Sequence, residues 1–352
     1  MKILSLFFAT ALAYPLLAET IFTIPQGYTK VTIAGPATTG DSKLTSISAS
    51  LLQDVGYAGS VTLGAYTDNP SGPDSQALTV SGAAWTATQW TNTPHLAYVS
   101  VADDAGNADG IVPAEEAFLI TANTAGGGLT LETSFDLATR FPATTTIKIR
   151  KANTLDSFFG SSSSSFAAND LVYIWGGGTW DSFQYVDFGG GFAFWASTTD
   201  GFTDVGPITV IHPDEGLFVS RTVNSDIVIT LFGEVPSAPQ VTTIEGTSFV
   251  ASRFPIDTTL ANTGIANSSW KANDLLYIWN PSATPSAKWD SFQYVDFGGG
   301  FVYWASTTDG FTPVDDTVIA ANSAMFVVRA EAVSGESGGT TSILPYTVDT
   351  VE

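Results

Sequence analysis

The sequence predicts an all-β protein of several antiparallel modules, with sandwich or barrel-like sheets, an internal duplication and at most short helical turns. Three observations carry that expectation. Short alternating runs such as YTKVTIAG, AFLITANT, LVYIW, IVITLFGEV and AMFVVRA are separated by clusters of Gly, Pro, Asn, Asp and Ser, as strands joined by turns are. No helical period is sustained, and only SLLQDVG near Leu51 and TLDSFFG near Asp156 read as a turn of helix. The segment WDSFQYVDFGGGFAFWASTTDGFT, Trp180 to Thr203, returns at Trp289 to Thr312 with two changes, Ala193 to Val302 and Phe194 to Tyr303.

Taken in order, residues 1–18 carry Lys2, an apolar run, Pro15 and a final small Ala18, which reads as a secretory signal peptide cleaved before Glu19. Residues 19–134 read as an N-terminal β region with no close copy, and its TDNPSGPDS as an exposed loop. Copy 1 of the repeated module spans 135–235, a linker 236–248, and copy 2 residues 249–352. AANDLVYIW at Ala167 answers KANDLLYIW at Lys271, TRFP at Thr139 answers SRFP at Ser252, and VIHPDEGLFVSR answers VIAANSAMFVVR. Where copy 1 has GGGT, copy 2 has NPSATPSAK, a difference a surface loop tolerates and a strand does not.

Of the 352 residues 44% are hydrophobic, which argues for a folded chain, while the charged fraction of 13% is low. With 12 Lys and Arg against 34 Asp and Glu, the net charge of −22 makes nucleic acid and anionic membrane surfaces poor partners. The absence of cysteine excludes disulfides, thiolate zinc sites and cysteine nucleophiles. Beyond the leader no apolar run approaches the ~18 residues of a spanning helix, so the expectation is export to the periplasm, cell surface or extracellular space without a membrane span.

In WDSFQYVDF the alternation puts Trp180, Ser182, Gln184, Val186 and Phe188 on one face and Asp181, Phe183, Tyr185 and Asp187 on the other, and Gly189–Gly191 turn the strand into a hairpin. So many aromatics exceed what a soluble surface leaves bare, so most are expected in a core. The alternative makes Trp180, Trp195, Trp289 and Trp304 a carbohydrate-binding strip. Asp181 with Asp187, and Asp290 with Asp296, sit ~20 Å apart along a strand, too far for the ~5–10 Å of a glycosidase pair. GESGG at Gly335 places Ser337 like a protease nucleophile, but neither His95 nor His212 stands in the matching context. In DDAGNADGIVPAEE, Asp103 or Asp104 with Asn107, Asp109 and Glu116 resembles a calcium loop whose first ligand position holds Ala105, so a weak Ca2+ site or a plain exposed turn is expected.

YTKVTIAG soon after a leader, FLITANT, and DLVYIW followed by a tryptophan hairpin and PDEGLFVSR together resemble a family of uncharacterised secreted β-rich proteins found as multiple paralogues in Verrucomicrobia-like bacteria. The resemblance implies no catalytic residue. The function expected is therefore that of an exported, non-enzymatic structural or adhesive protein of the cell surface or matrix, whose partners are further copies of itself or cell-surface polymers. Carbohydrate binding is the alternative and hydrolase activity a minor one.

Overall fold

The computed structural model describes residues 26–100, 114–160, 165–236, 238, 240–244, 246–263, 270–283 and 288–330, with the backbone of 338–342. The expected leader, 1–18, lies outside them. The regular structure of the described chain is almost entirely strand, as expected. β1 (Gln26–Ile33) and β2 (Lys43–Ser48) come first. Next are β3 (Val55–Thr67), β4 (Asp74–Thr79), β5 (His95–Ser100), β6 (Glu115–Asn123), β7 (Gly128–Thr133) and β8 (Thr144–Lys151). After β9 (Asn153–Thr154) and helix α1 (Leu155–Phe159) run β10 (Leu171–Trp175), β11 (Trp180–Asp187), β12 (Ala193–Ser197), β13 (Val210–Ile211), β14 (Gly216–Arg221) and β15 (Ile227–Glu234). The remainder is β16 (Gln240–Ile244), β17 (Thr247–Ala251), β18 (Thr258–Thr259), β19 (Leu275–Asn280), β20 (Lys288–Asp296), β21 (Val302–Ser306), β22 (Val318–Ile319), β23 (Ala324–Val328) and β24 (Gly338–Ser342).

Strands β3 to β8 pair in the order β6-β5-β8-β3-β4-β7, and β7 pairs back onto β6, so this sheet closes into a six-stranded barrel. Closure leaves these strands without a free edge. Alternate side chains fill the barrel: Val61, Leu78, Val99, Ile120, Leu131, Ile147 and Ile149 are all buried. The barrel is a packed core.

Two five-stranded antiparallel sheets make the other modules. In module 1 the order is β12-β11-β10-β14-β2, and in module 2 it is β21-β20-β19-β23-β17. Each module adds a short ribbon, β9 with β13 and β18 with β22, and each buries its own apolar cluster. The β1–β15 ribbon closes module 1 with Val31, Ile33, Ile227 and Leu231. An ion pair recurs at the same place in both: Arg221 reaches the fully buried Asp170 at 2.7 Å, and Arg329 reaches the fully buried Asp274 at 3.0 Å. Asp170 also accepts from the Ala167 and Thr222 amides, and Asp274 from those of Lys271 and Ala330, so each buried charge is paired and hydrogen-bonded.

The sheets divide the chain differently from the sequence repeat. β1 and β2, within the 19–134 region, belong to module 1, whereas β8, within copy 1, closes the barrel. The barrel is thus an insertion between the edge strand β2 and β9, in the place where module 2 has only residues 252–257 between β17 and β18. The match of TRFP with SRFP is one of letters alone. Phe141 belongs to the barrel core, and the counterpart of Phe254 just beyond the edge strand is Leu51.

Of the two expected helical turns one forms. Thr154 caps α1 and Ser157 completes a capping box. SLLQDVG is instead an extended link whose Leu51 and Leu52 are buried, Leu52 bridging Glu234. NPSATPSAK falls between the paired strands β19 and β20, with its residues 284–287 outside the described ones. Trp175 pairs with Trp180 in module 1, and Trp279 with Trp289 in module 2, where one more rung, Asn280 with Lys288, precedes the loop.

Candidate functional site

The repeated hairpin meets three environments, because its two faces and its tip point to different neighbours. On one face Trp195 and Trp304 are 0% and 1% exposed, each at the centre of its module. Trp195 packs on Phe159, Phe166 and Tyr185 at 5.0–5.5 Å, and Trp304 on Trp270 and Tyr294 at 5.2 and 5.4 Å. The Trp195 indole donates to Gly160 O at 3.2 Å, whereas the Trp304 indole finds no acceptor among the described residues. Neither tryptophan reaches a surface, so this half of the proposed carbohydrate strip is core.

On the opposite face Trp180 and Trp289 are half-buried in a seam where the two modules meet. Phe218 of β14 stacks on Phe249 of β17 with centroids 4.9 Å apart and planes 19° apart. Around that pair, Trp180 lies 5.7 Å from Phe326 while Trp289 lies 5.7 Å from Phe218. The same reciprocity governs the hydrogen bonds. Trp175 Nε1 donates to Thr247 O and Trp279 Nε1 to Leu44 O, at 3.0 and 3.3 Å. Ser48 N donates to Asn322 O and Ala251 N to Asp214 O, at 2.7 and 2.9 Å. Contact of i with j answered by j with i is the rule of a two-fold interface, here between halves of one chain. Close approach at the seam requires Gly216, because a Cβ there would stand 2.2 Å from Ala324 Cβ.

At the far end of the hairpin the strands outrun the core. Asp187 accepts from Gly189 N, and Asp296 from Gly298 N, each at 2.7 Å. The three glycines that follow each Phe all adopt positive φ, 66–85° in module 1 and 64–85° in module 2, a run only glycine makes without strain. The turn lifts Phe188 and Phe192 to 68% and 64% exposure and Phe297 and Phe301 to 68% and 70%. Phe194 and Tyr303 complete each tip, with rings 5.6–6.1 Å apart in module 1 and 6.0–6.4 Å between the phenylalanines and Tyr303 in module 2. The sequence expectation of mostly buried hairpin aromatics holds for Tyr185, Trp195, Tyr294 and Trp304 but not for these tip phenylalanines. The available signal was the Asp-Phe-Gly-Gly-Gly-Phe order, which puts both phenylalanines beside a turn too tight to be covered.

Three of the four paired acids make local hydrogen bonds, Asp187 and Asp296 capping the turns and Asp290 accepting from Asn280 Nδ2 at 2.8 Å, while Asp181 is exposed. Asp103, Asp104, Asn107 and Asp109 of the expected calcium loop lie outside the described residues, as does Ser337. Glu116 is buried and engaged, accepting from Arg140 and Thr243, so its carboxylate is not an open ligand. Burial pushes its pKa up while Arg140 and the Thr243 hydroxyl pull it back. Among the described residues no three His, Asp or Glu side chains are placed to hold a metal. His95 packs edge-on against Trp90, and His212 lines a cavity of about 420 Å³ with Glu132 and Glu215 at the barrel's junction with module 1. No helix among the described residues is long and apolar enough to cross a membrane.

No protein-family model, curated protein or solved structure matches the chain.

Proposed function

We propose that this is an exported, non-enzymatic structural or adhesive protein of the cell surface or extracellular matrix, and that it makes its contacts through the two aromatic hairpin tips. The observation that carries this reading is the duplication of one exposed Phe-Gly-Gly-Gly-Phe tip on modules locked together by an aromatic seam. Apolar rings held bare in water by a glycine turn are costly unless something covers them. Two equivalent tips carried on modules of one chain would give bivalent attachment, in which the second contact forms at high effective concentration. The leader at 1–18, the acidic composition and the lack of cysteine agree with an exported setting.

The test replaces Phe188, Phe192, Phe297 and Phe301 with serine in the native cell and measures the fraction retained on the surface or in the matrix. Retention should collapse in the fourfold variant while the melting temperature stays at the parent value. A single-tip variant should lose more than half of the retention. Full retention by the fourfold variant would remove the tips from the function.

A further inference from the structure

The reciprocal seam has two flanks, and the chain treats them differently. On one flank the barrel approaches, and Glu116, Glu132, Asp214 and Glu215 share a cavity of about 530 Å³ with Trp175 and Phe249. On the other flank no element among the described residues covers the rings, leaving a cleft of about 380 Å³ walled by Tyr173, Trp180, Trp279, Trp289 and Phe326, with Ser42 and Ser220 at one side. Among the described residues no charged side chain lines this second cleft, in a chain that carries 34 acids.

From this difference we infer that the open flank of the seam is a binding site for a neutral oligosaccharide. The site is distinct from the hairpin tips and does not depend on their role. Three features select the ligand class. The wall is almost wholly aromatic, and the negative quadrupole of an aromatic ring attracts the weakly positive C–H face of a pyranose. Nε1 of Trp279 is already bonded to Leu44 O, but among the described residues Nε1 of Trp180 and of Trp289 has no protein acceptor and is not sealed from solvent. These indole donors, with the two serines, suit a ligand that is apolar on its faces and hydroxylated at its rim. The uncharged wall and the net charge of −22 disfavour uronate or sulfated sugars, which would enter an acidic field without a cation to receive them. A volume of this size holds a short stretch of a sugar chain, and mostly apolar walls with a few polar groups are the usual make-up of a small-ligand site.

The reading also explains why half of the tryptophan strip expected from the sequence is core and half is not. Trp195 and Trp304 face inward, while Trp180 and Trp289, on the opposite face of their sheets, converge from the two modules on a single cleft.

The experiment titrates the full chain with cellohexaose, maltohexaose and hexagalacturonate, following tryptophan emission and the heat of binding. At least one neutral hexasaccharide should bind saturably with a change in emission, and hexagalacturonate should bind at least tenfold more weakly. Ser42→Trp, at an exposed position on the cleft wall, should cut that affinity at least tenfold and leave the melting temperature unchanged. Because other cleft variants risk opening the seam, Trp289→Phe serves as the second, keeping an aromatic ring while removing an indole donor, and it too should weaken binding. The inference is overturned if neither neutral sugar binds, if both variants bind like the parent, or if hexagalacturonate binds as well as the neutral sugars. Surface retention of Ser42→Trp, whose tips are intact, separates failure at the cleft from failure at the tips.

Discussion

Modules 1 and 2 carry the same sheet and nearly the same hairpin, but they obtain their edge strand in opposite ways. Module 2 takes β17 from residues just ahead of β18, whereas module 1 takes β2 from the far side of an entire barrel. The two edge sequences, KLTSIS and TSFVA, share no pattern beyond a strand's tolerance for small and β-branched residues. What was duplicated is therefore a pairing arrangement, and the continuity of the chain through it is free to vary. A second contrast lies in the core, where Trp195 has a carbonyl for its indole and Trp304 has none among the described residues.

The largest test of equivalence is at those two tryptophans. Trp195→Ala and Trp304→Ala should each cost about 3–5 kcal/mol in chemical denaturation, since each empties the centre of a module. Replacement by Phe should separate them. Trp195→Phe gives up a hydrogen bond and Trp304→Phe does not, so the first should be the more damaging by about 1 kcal/mol. Equal losses for the two Phe variants would mean that the cores are energetically the same.

A smaller effect is expected at the seam, where the modules differ at Gly216 and its counterpart Ala324. Gly216→Ala forces a Cβ against Ala324 and should cost about 1–3 kcal/mol. Adding Ala324→Gly should restore only part of this, because the Phe249 ring still stands 2.9 Å from the new Cβ. Full restoration would show the seam to be more symmetric than its contacts.

The smallest effect concerns Glu215 of module 1, which module 2 replaces with Ser323. Burial pushes the Glu215 carboxyl above its ordinary 4.5, opposed mainly by the attraction of His212. A raised carboxyl favours the protonated fold, so this stability is full below the ordinary value and lost as pH climbs through the folded one. Glu215→Gln stays neutral throughout and should raise the melting temperature at pH 7, with the gain fading toward pH 4. A gain of the same size at both pH values would assign the effect to packing instead of charge.

Much of this was legible in the letters. The strands show in their alternation, the hairpin in Gly189–Gly191, and the burial of Trp195 and Trp304 in the excess of aromatics over what a surface can carry. The change of Ala193 to Val302, which suggests an apolar surrounding, sits instead at the rim of the exposed tip, where Val302 is 43% exposed. The seam could not be read, because Trp180 and Phe188 lie on the same face of one strand and only the docking of a second sheet decides which end is covered. The split of module 1 around the barrel was equally hidden, since strand pairing over so long a separation leaves no local mark in KLTSIS.

The inserted barrel has ends that meet: Gln53 Nε2 donates to Asn153 Oδ1 at 2.8 Å, and β8 is tied to β15 by the buried Arg150–Glu234 pair. Synthesis delivers β2 first and its partner β14 only after the barrel has been made, so order of production and order of assembly run against each other. The barrel, whose six strands are contiguous in the chain, can close on its own while β2 remains an unmatched ribbon. Module 1 can be completed only when β2, ahead of the barrel, meets β14, behind it, and pairing over that separation is expected to be slower than closure of the barrel's consecutive strands, an order that pulsed hydrogen exchange during refolding would read.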